Sequence, residues 1–160
     1  AVDQFNVYAS GGTRIFSNTT ATAGVLLAPG GGSWSSVSDR AAKENLVSIE
    51  AQEVLDRVCA LAITTWNYKA QDDSIRHMGP MAQDFHSAFG LGVSDKTIDT
   101  IDPDGVALAA IQGLNARMKA VVATKDGEIA ELRERVTRLE SVEAEVASLR
   151  AALEALFEDR

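Results

Sequence analysis

One cysteine, two histidines and three prolines are all that the 160 residues carry of these types, and aromatic residues make up only 6%. A lone Cys59 leaves no intrachain disulfide, and no Cys or His spacing suits zinc. Cys59 lies in the apolar run Val58-Cys59-Ala60-Leu61-Ala62, where a small buried hydrophobe is expected rather than a nucleophile. His77 and His86 have no paired ligand at metal spacing, so neither a metal nor a cofactor is expected. Basic charge is short too. Fifteen Lys and Arg against 23 Asp and Glu give a net charge of −8, which argues against a nucleic-acid partner. No stretch approaches the roughly 20 apolar residues of a membrane span, so no membrane partner is expected. The chain begins Ala1-Val2-Asp3-Gln4, without a methionine or the basic and apolar regions of a signal peptide, as expected of a piece of something longer.

What is present is unevenly spread. The first third is rich in Gly, Ser and Thr, and the last third in Glu, Arg and Ala. That contrast predicts different architectures joined end to end. Residues 1–32 read as short strands between turn residues: Phe5–Ala9, Thr13–Ser17 and Gly24–Ala28, the last stopped by Pro29-Gly30-Gly31-Gly32. They hold too few large apolar residues to bury a core alone, so pairing with other copies is expected. Residues 33–105 read as a compact mixed unit. It contains a short helix after Ser48 or Glu50, a strand over Ala60–Tyr68 and a helix over Met81–Phe89 stopped by Gly90. A strand over Thr97–Ile101 and a turn at Asp102-Pro103-Asp104-Gly105 complete it. Trp34 and Trp66 read as core aromatics.

Residues 106–160 read as one long helix. Apolar residues recur at Leu108, Ile111, Leu114 or Asn115, Met118 and Val122, then from Ile129 through Leu132, Val136, Leu139, Val142, Val146, Leu149, Leu153 and Leu156. The later steps run 3, 4, 3, 3, 4, 3, 4, 3, a heptad seam with one three-residue slip at Leu139–Val142. Two apolar residues per heptad are too few to bury against a globular core and suit helix–helix association. Mixed Val and Leu do not choose between two and three strands; Lys125 and Asn115 on the seam would fix register.

Chemistry has few candidates. Ser38 is followed five residues later by Lys43. A lysine whose ammonium form is disfavoured by burial or a nearby cation can take the proton of a serine hydroxyl. Asp39 reads as a cap, Asn45 as a packing residue or an oxyanion donor, and His77 as a structural hydrogen-bonding residue with a supporting role as the alternative. Bare spacing of two common residues is weak. The surrounding run is more specific: Ser38-Asp39-Arg40-Ala41-Ala42-Lys43-Glu44-Asn45-Leu46 resembles the signature that opens the peptidase S74 family, the intramolecular chaperone auto-processing domain of endosialidase-type phage tailspikes and fibres. Trp66-Asn67-Tyr68, Arg76–Phe85 and Asp104–Gln112 are similar to later segments of that family, in the same order, so the resemblance spans residues 33 to 125. Leu46 stands where isoleucine is commoner, a conservative departure.

The resemblance implies an α+β fold, with a β-rich trimeric stalk before the mixed domain and a trimeric coiled coil after it. It implies a homotrimer that registers its own N-terminal fibre and then cuts itself off, leaving the stalk with the virion tail fibre or spike. It places catalysis on Ser38 and Lys43 and the cut among Val37, Ser38 and Asp39. Two bonds stay open. Attack by Ser38 Oγ on the Val37 carbonyl closes a five-membered ring. A cut after Ser38 would need a four-membered ring, or a nucleophile from another chain or water. A non-cleaving trimerisation tip with the same fold is the rival reading.

Overall fold

The computed structural model describes residues 3–158, and side chains as far as Ala155. Ala1 and Val2, and the seam side chain of Leu156, lie outside the described residues. The described chain forms a three-stranded sheet, a two-helix and hairpin unit, and one very long helix.

The sheet is antiparallel in the order β1 (Thr13–Phe16), β2 (Gly24–Leu27), β3 (Trp34–Ser36). Asn18 organises the first connection: its Oδ1 accepts from the amides of Thr22 and Ala23 at 3.1 and 3.2 Å. Gly31 N donates to Ala28 O at 2.9 Å in the second. Gly24 is required by space, because a Cβ there would stand 2.2 Å from Ile15 O and 2.8 Å from Phe16 Cα. β3 was not expected from the sequence, since three residues after a glycine run give no pattern to read. The strand expected at Phe5–Ala9 is absent. Phe5 and Tyr8 are almost fully exposed, and a strand without a neighbour has no ladder to form. Trp34 is exposed on β3 and belongs to no core.

Beyond the sheet come α1 (Ala51–Ala60), the hairpin of β4 (Thr64–Trp66) and β5 (His77–Gly79), α2 (Ala82–Phe89) and α3 (Ile101–Glu158). α1 starts where expected, after Glu50. It runs on to Ala60, which shortens the expected Ala60–Tyr68 strand to three residues. Cys59 on α1 is exposed, contrary to the expectation that its apolar neighbours bury it. α2 ends at Gly90, whose φ of 64° permits the left-handed cap. The expected strand at Thr97–Ile101 and turn at Asp102–Gly105 are instead the approach to α3 and its first turn. Pro103 is tolerated there because the first turn has no use for its missing amide hydrogen.

The core is small: among the described residues Leu55 of α1, Phe85 of α2 and Ala110 of α3 are its buried hydrophobic side chains. Phe85 and Phe89 pack at 5.0 Å between ring centres. The crossing of α3 over α1 depends on Gly113, where a Cβ would lie 2.2 Å from Ala51 O. Polar contacts lock the same crossing. Gln52 Nε2 donates to Gly113 O, and Arg117 donates to Gln52 Oε1 at 3.1 Å and to Asp56 Oδ1 at 2.7 Å. Asp56 raises the Arg117 pKa above its ordinary value, through its hydrogen bond and its charge. By length and composition alone, α3 could cross a membrane, which qualifies the sequence reading. The most apolar part of α3, however, contains Gly113 and Arg117, the residues that dock it on α1.

Candidate active site

Ser38 and Lys43 are brought together by one tight turn. Asp39 is extended (φ −65°, ψ 135°), and its Oδ1 accepts from Ala41 N at 2.9 Å. The cap starts a single 3₁₀ turn over Arg40–Ala42, with Ala42 N donating to Asp39 O at 3.1 Å and Lys43 N to Arg40 O at 3.2 Å. Such a turn advances about 2 Å per residue, so residues on either side of it stay close. The lysine side chain closes the remaining gap: Nζ donates to Ser38 Oγ at 2.7 Å. The five-residue spacing therefore has a physical reason, and the capping aspartate is part of it.

The pair sits at the end of the sheet. Val37 is half-buried, and its amide donates to Gly24 O at 2.9 Å, continuing the β2–β3 ladder up to the residue before Ser38. An open cleft of about 550 Å³ adjoins the pair, lined by Gly24, Val37 and Lys43 and by Asp99–Asp102 at the start of α3. The two carboxylates of that stretch were not singled out from the sequence, because the segment reads as a strand and a turn. A separate cleft of about 540 Å³ lies between α1 and α3, lined among others by Ile49, Phe89 and Val106; neither Ser38 nor Lys43 reaches it. Both dyad residues are exposed in the single chain.

The two supporting candidates make no hydrogen bond to this pair among the described residues. Asn45 has a left-handed backbone (φ 55°), a conformation asparagine tolerates better than most residues. Among the described residues its side chain makes no hydrogen bond to Ser38 or Lys43. His77 lies on β5, with its ring 4.8 Å from that of Trp66 and 5.5 Å from that of Tyr68, and its Nε2 is 2.9 Å from Gln71 Oε1. Arg76 clamps the same hairpin, donating to Thr65 O at 2.9 Å and to Asn67 Oδ1 at 3.1 Å. The Trp–Tyr and Arg–His motifs thus build one hairpin. Trp66 Nε1 is buried there without an acceptor. His86 Nδ1 is 2.9 Å from Leu91 O, at the end of α2. Among the described residues no three His, Cys, Asp or Glu side chains gather as a metal site would need.

Residues 38–93 match the peptidase S74 family, described as chaperone of endosialidase. The match begins at Ser38 itself and covers the dyad turn, α1, the hairpin and α2. No curated protein and no solved structure matches the chain.

Proposed function

From a segment 38–93 shared with chaperones of endosialidase, we propose that this chain is the C-terminal intramolecular chaperone of a trimeric tail fibre or tailspike, released by its own Ser–Lys peptidase. The 2.7 Å contact between Ser38 Oγ and Lys43 Nζ carries the reading. In the pair as it stands Nζ donates to the hydroxyl. For catalysis the proton runs the other way: a neutral amine accepts the hydroxyl proton as Oγ attacks a carbonyl. Excluding water around the amine is what favours its neutral form. Both side chains are open to water in one chain, so the cover comes from assembly.

At the Val37–Ser38 bond, Oγ adds to the Val37 carbonyl through a five-membered ring. The C–N bond breaks, the Ser38 nitrogen takes a proton, and an ester joins Val37 to Oγ. Water then hydrolyses the ester, giving a Val37 carboxylate and a free Ser38 amine. At the Ser38–Asp39 bond, the attacking oxygen comes from a neighbouring copy or from water.

The location of the cut agrees with release. Among the described residues, the three strands of the first sheet lie before Ser38; both strands of the hairpin and the three α-helices lie after it. Neither sheet spans the bond. Severing the chain therefore leaves two units joined only by packing around the cleft. The seam on α3 supplies the assembly, raising the effective concentration of the three chain ends. Intertwined stalks have long-range interchain contacts and fold slowly unaided. Removal of the registering device afterwards makes their unfolding a matter of rate.

Intact-mass measurement of freshly expressed protein tests the proposal. Wild type yields two fragments whose masses identify the bond, while Ser38→Ala, Lys43→Ala and Lys43→Arg stay whole; Arg is always protonated and cannot act as base. A wild-type chain that trimerises and stays whole favours the non-cleaving tip instead.

A further inference from the structure

The second half of self-cleavage asks for a base that the dyad does not supply. At the Val37–Ser38 bond, the first step leaves Val37 esterified to Ser38 Oγ and frees the Ser38 amine. That amine is one five-membered ring away from the ester and restores the amide unless water acts first. The water must lose a proton as it adds. Lys43 Nζ donates to Oγ at 2.7 Å, so it is placed to protonate Oγ as the ester breaks. One group cannot give a proton to Oγ and take one from water in the same step, so a third group is needed.

The cleft beside the dyad contains carboxylates. Its lining joins Val37, whose carbonyl is attacked, to Lys43, Asp99 and Asp102. A volume of about 550 Å³ has room for several waters. Asp102 is shared with other surroundings: it also lines the separate cleft between α1 and α3, and its Oδ2 lies 3.7 Å from where a Cβ on Gly92 would stand. Asp39 is engaged in its cap, accepting from Ala41 N at 2.9 Å. Asp99 lines the dyad cleft and not the other. Its backbone is fixed by the 3.0 Å bond from Asp102 N to Asp99 O, and among the described residues its carboxylate enters no ion pair.

We propose that Asp99 is the general base of the hydrolytic step. Its carboxylate takes one proton from a cleft water while the water oxygen bonds to the Val37 carbonyl carbon. The C–Oγ bond breaks, and Oγ takes a proton from the Lys43 ammonium. Val37 leaves as a carboxylic acid, which returns a proton to the Lys43 amine, and Asp99 gives its own proton to solvent. The inference rests on the self-cleaving reading and on a cut before Ser38.

The test traps the ester. An ester isomer of the chain has the mass of the intact chain, but neutral hydroxylamine cuts an ester and spares a peptide bond. The full-length Asp99→Asn chain, shown by sedimentation to assemble as wild type does, is expected to release fragments at least about a hundredfold more slowly. Hydroxylamine added to the folded protein then yields residues 1–37 ending in a hydroxamate. Asp99→Ser is expected to give the same result should Asp99→Asn not assemble. Asp99→Glu retains most of the cleavage, and Asp104→Asn, which removes a carboxylate of α3 outside this cleft, cleaves as wild type. Ser38→Ala stays whole with or without hydroxylamine. An assembled Asp99→Asn chain that cleaves at the wild-type rate, or that stays whole in hydroxylamine, overturns the inference and leaves the self-cleaving reading standing. So do a trapped ester in Asp102→Asn but not in Asp99→Asn, and fragment masses that place the cut after Ser38. A wild-type chain that never cleaves overturns both.

Discussion

The two halves of α3 differ in what holds them. The first half crosses α1, with Ala110 and Gly113 buried and Arg117 paired with Asp56, while Leu108, Ile111 and Met118 face outward and are exposed. Among the described residues the second half packs against no other element, although Ile129, Leu132, Val136 and Leu139 continue the same apolar spacing. In the first half one face serves the fold and another is left bare; in the second half only the bare face exists. Among the described residues, the later turns of this 58-residue helix take no tertiary packing from their own chain, which is where the proposed assembly would act. The apolar stripe begins beside the crossing and not beyond it, so the proposed processing unit and the proposed assembly seam share one helix.

Breaking the seam should have the largest effect. Leu132→Asp with Val136→Asp removes two apolar layers from the proposed interface, at about 2–5 kcal/mol for each large side chain lost from a packed core. Sedimentation equilibrium is expected to show monomers, and processing should stop. Breaking the crossing should do less. Gly113→Ala drives a Cβ onto the Ala51 carbonyl, and such overpacking costs about 1–3 kcal/mol. Thermal unfolding of the α1–α3 unit is expected to fall by several degrees while the later seam still holds the chains together. Arg117→Ala should cost less again, because the pair it breaks is exposed on both sides. Comparing its melting temperature with that of Gly113→Ala ranks close packing against polar locking at one crossing.

The smallest effect expected is one of pH. Asp72 is held below the ordinary carboxylate value by the hydroxyl of Ser74 and then by its amide. A depressed carboxylate adds stability above its unfolded pKa of about 4 and loses it as pH falls through the folded value. Asp72→Asn should therefore slightly loosen the turn before β5 at neutral pH and make no difference in strong acid, as read by amide exchange at Ser74.

How much of this was legible in the sequence depended on what each signal encodes. The dyad spacing could be read because Asp39 and a single turn fix it locally, without help from the rest of the chain. The long helix was legible because its apolar spacing repeats. α2 and its glycine stop were legible from one turn of pattern and one left-handed cap. Strand Phe5–Ala9 was misjudged because pairing is not a local property: the residues favour a strand, but no neighbour is there to complete it. Pro103 and Gly105 look like a turn, and inside the first turns of a 58-residue helix their local cost is overridden. Cys59 was misplaced because an apolar run says nothing about how much of a helix the rest of the chain covers. His77 and Asn45 were picked out by motif alone; in the fold His77 bonds within a hairpin and Asn45 makes a left-handed bend.

The central claim is that meeting of the chains switches on an amine–hydroxyl pair that a lone chain holds ready but idle. Its most direct measurement is the rate of fragment appearance after refolding from denaturant, followed by mass spectrometry across a range of chain concentrations. The account requires a rate that climbs steeply with concentration, levels off once assembly is complete, and vanishes in the seam-broken variant. Fragments appearing at one fixed rate at every dilution, in the seam-broken variant as well, would contradict it.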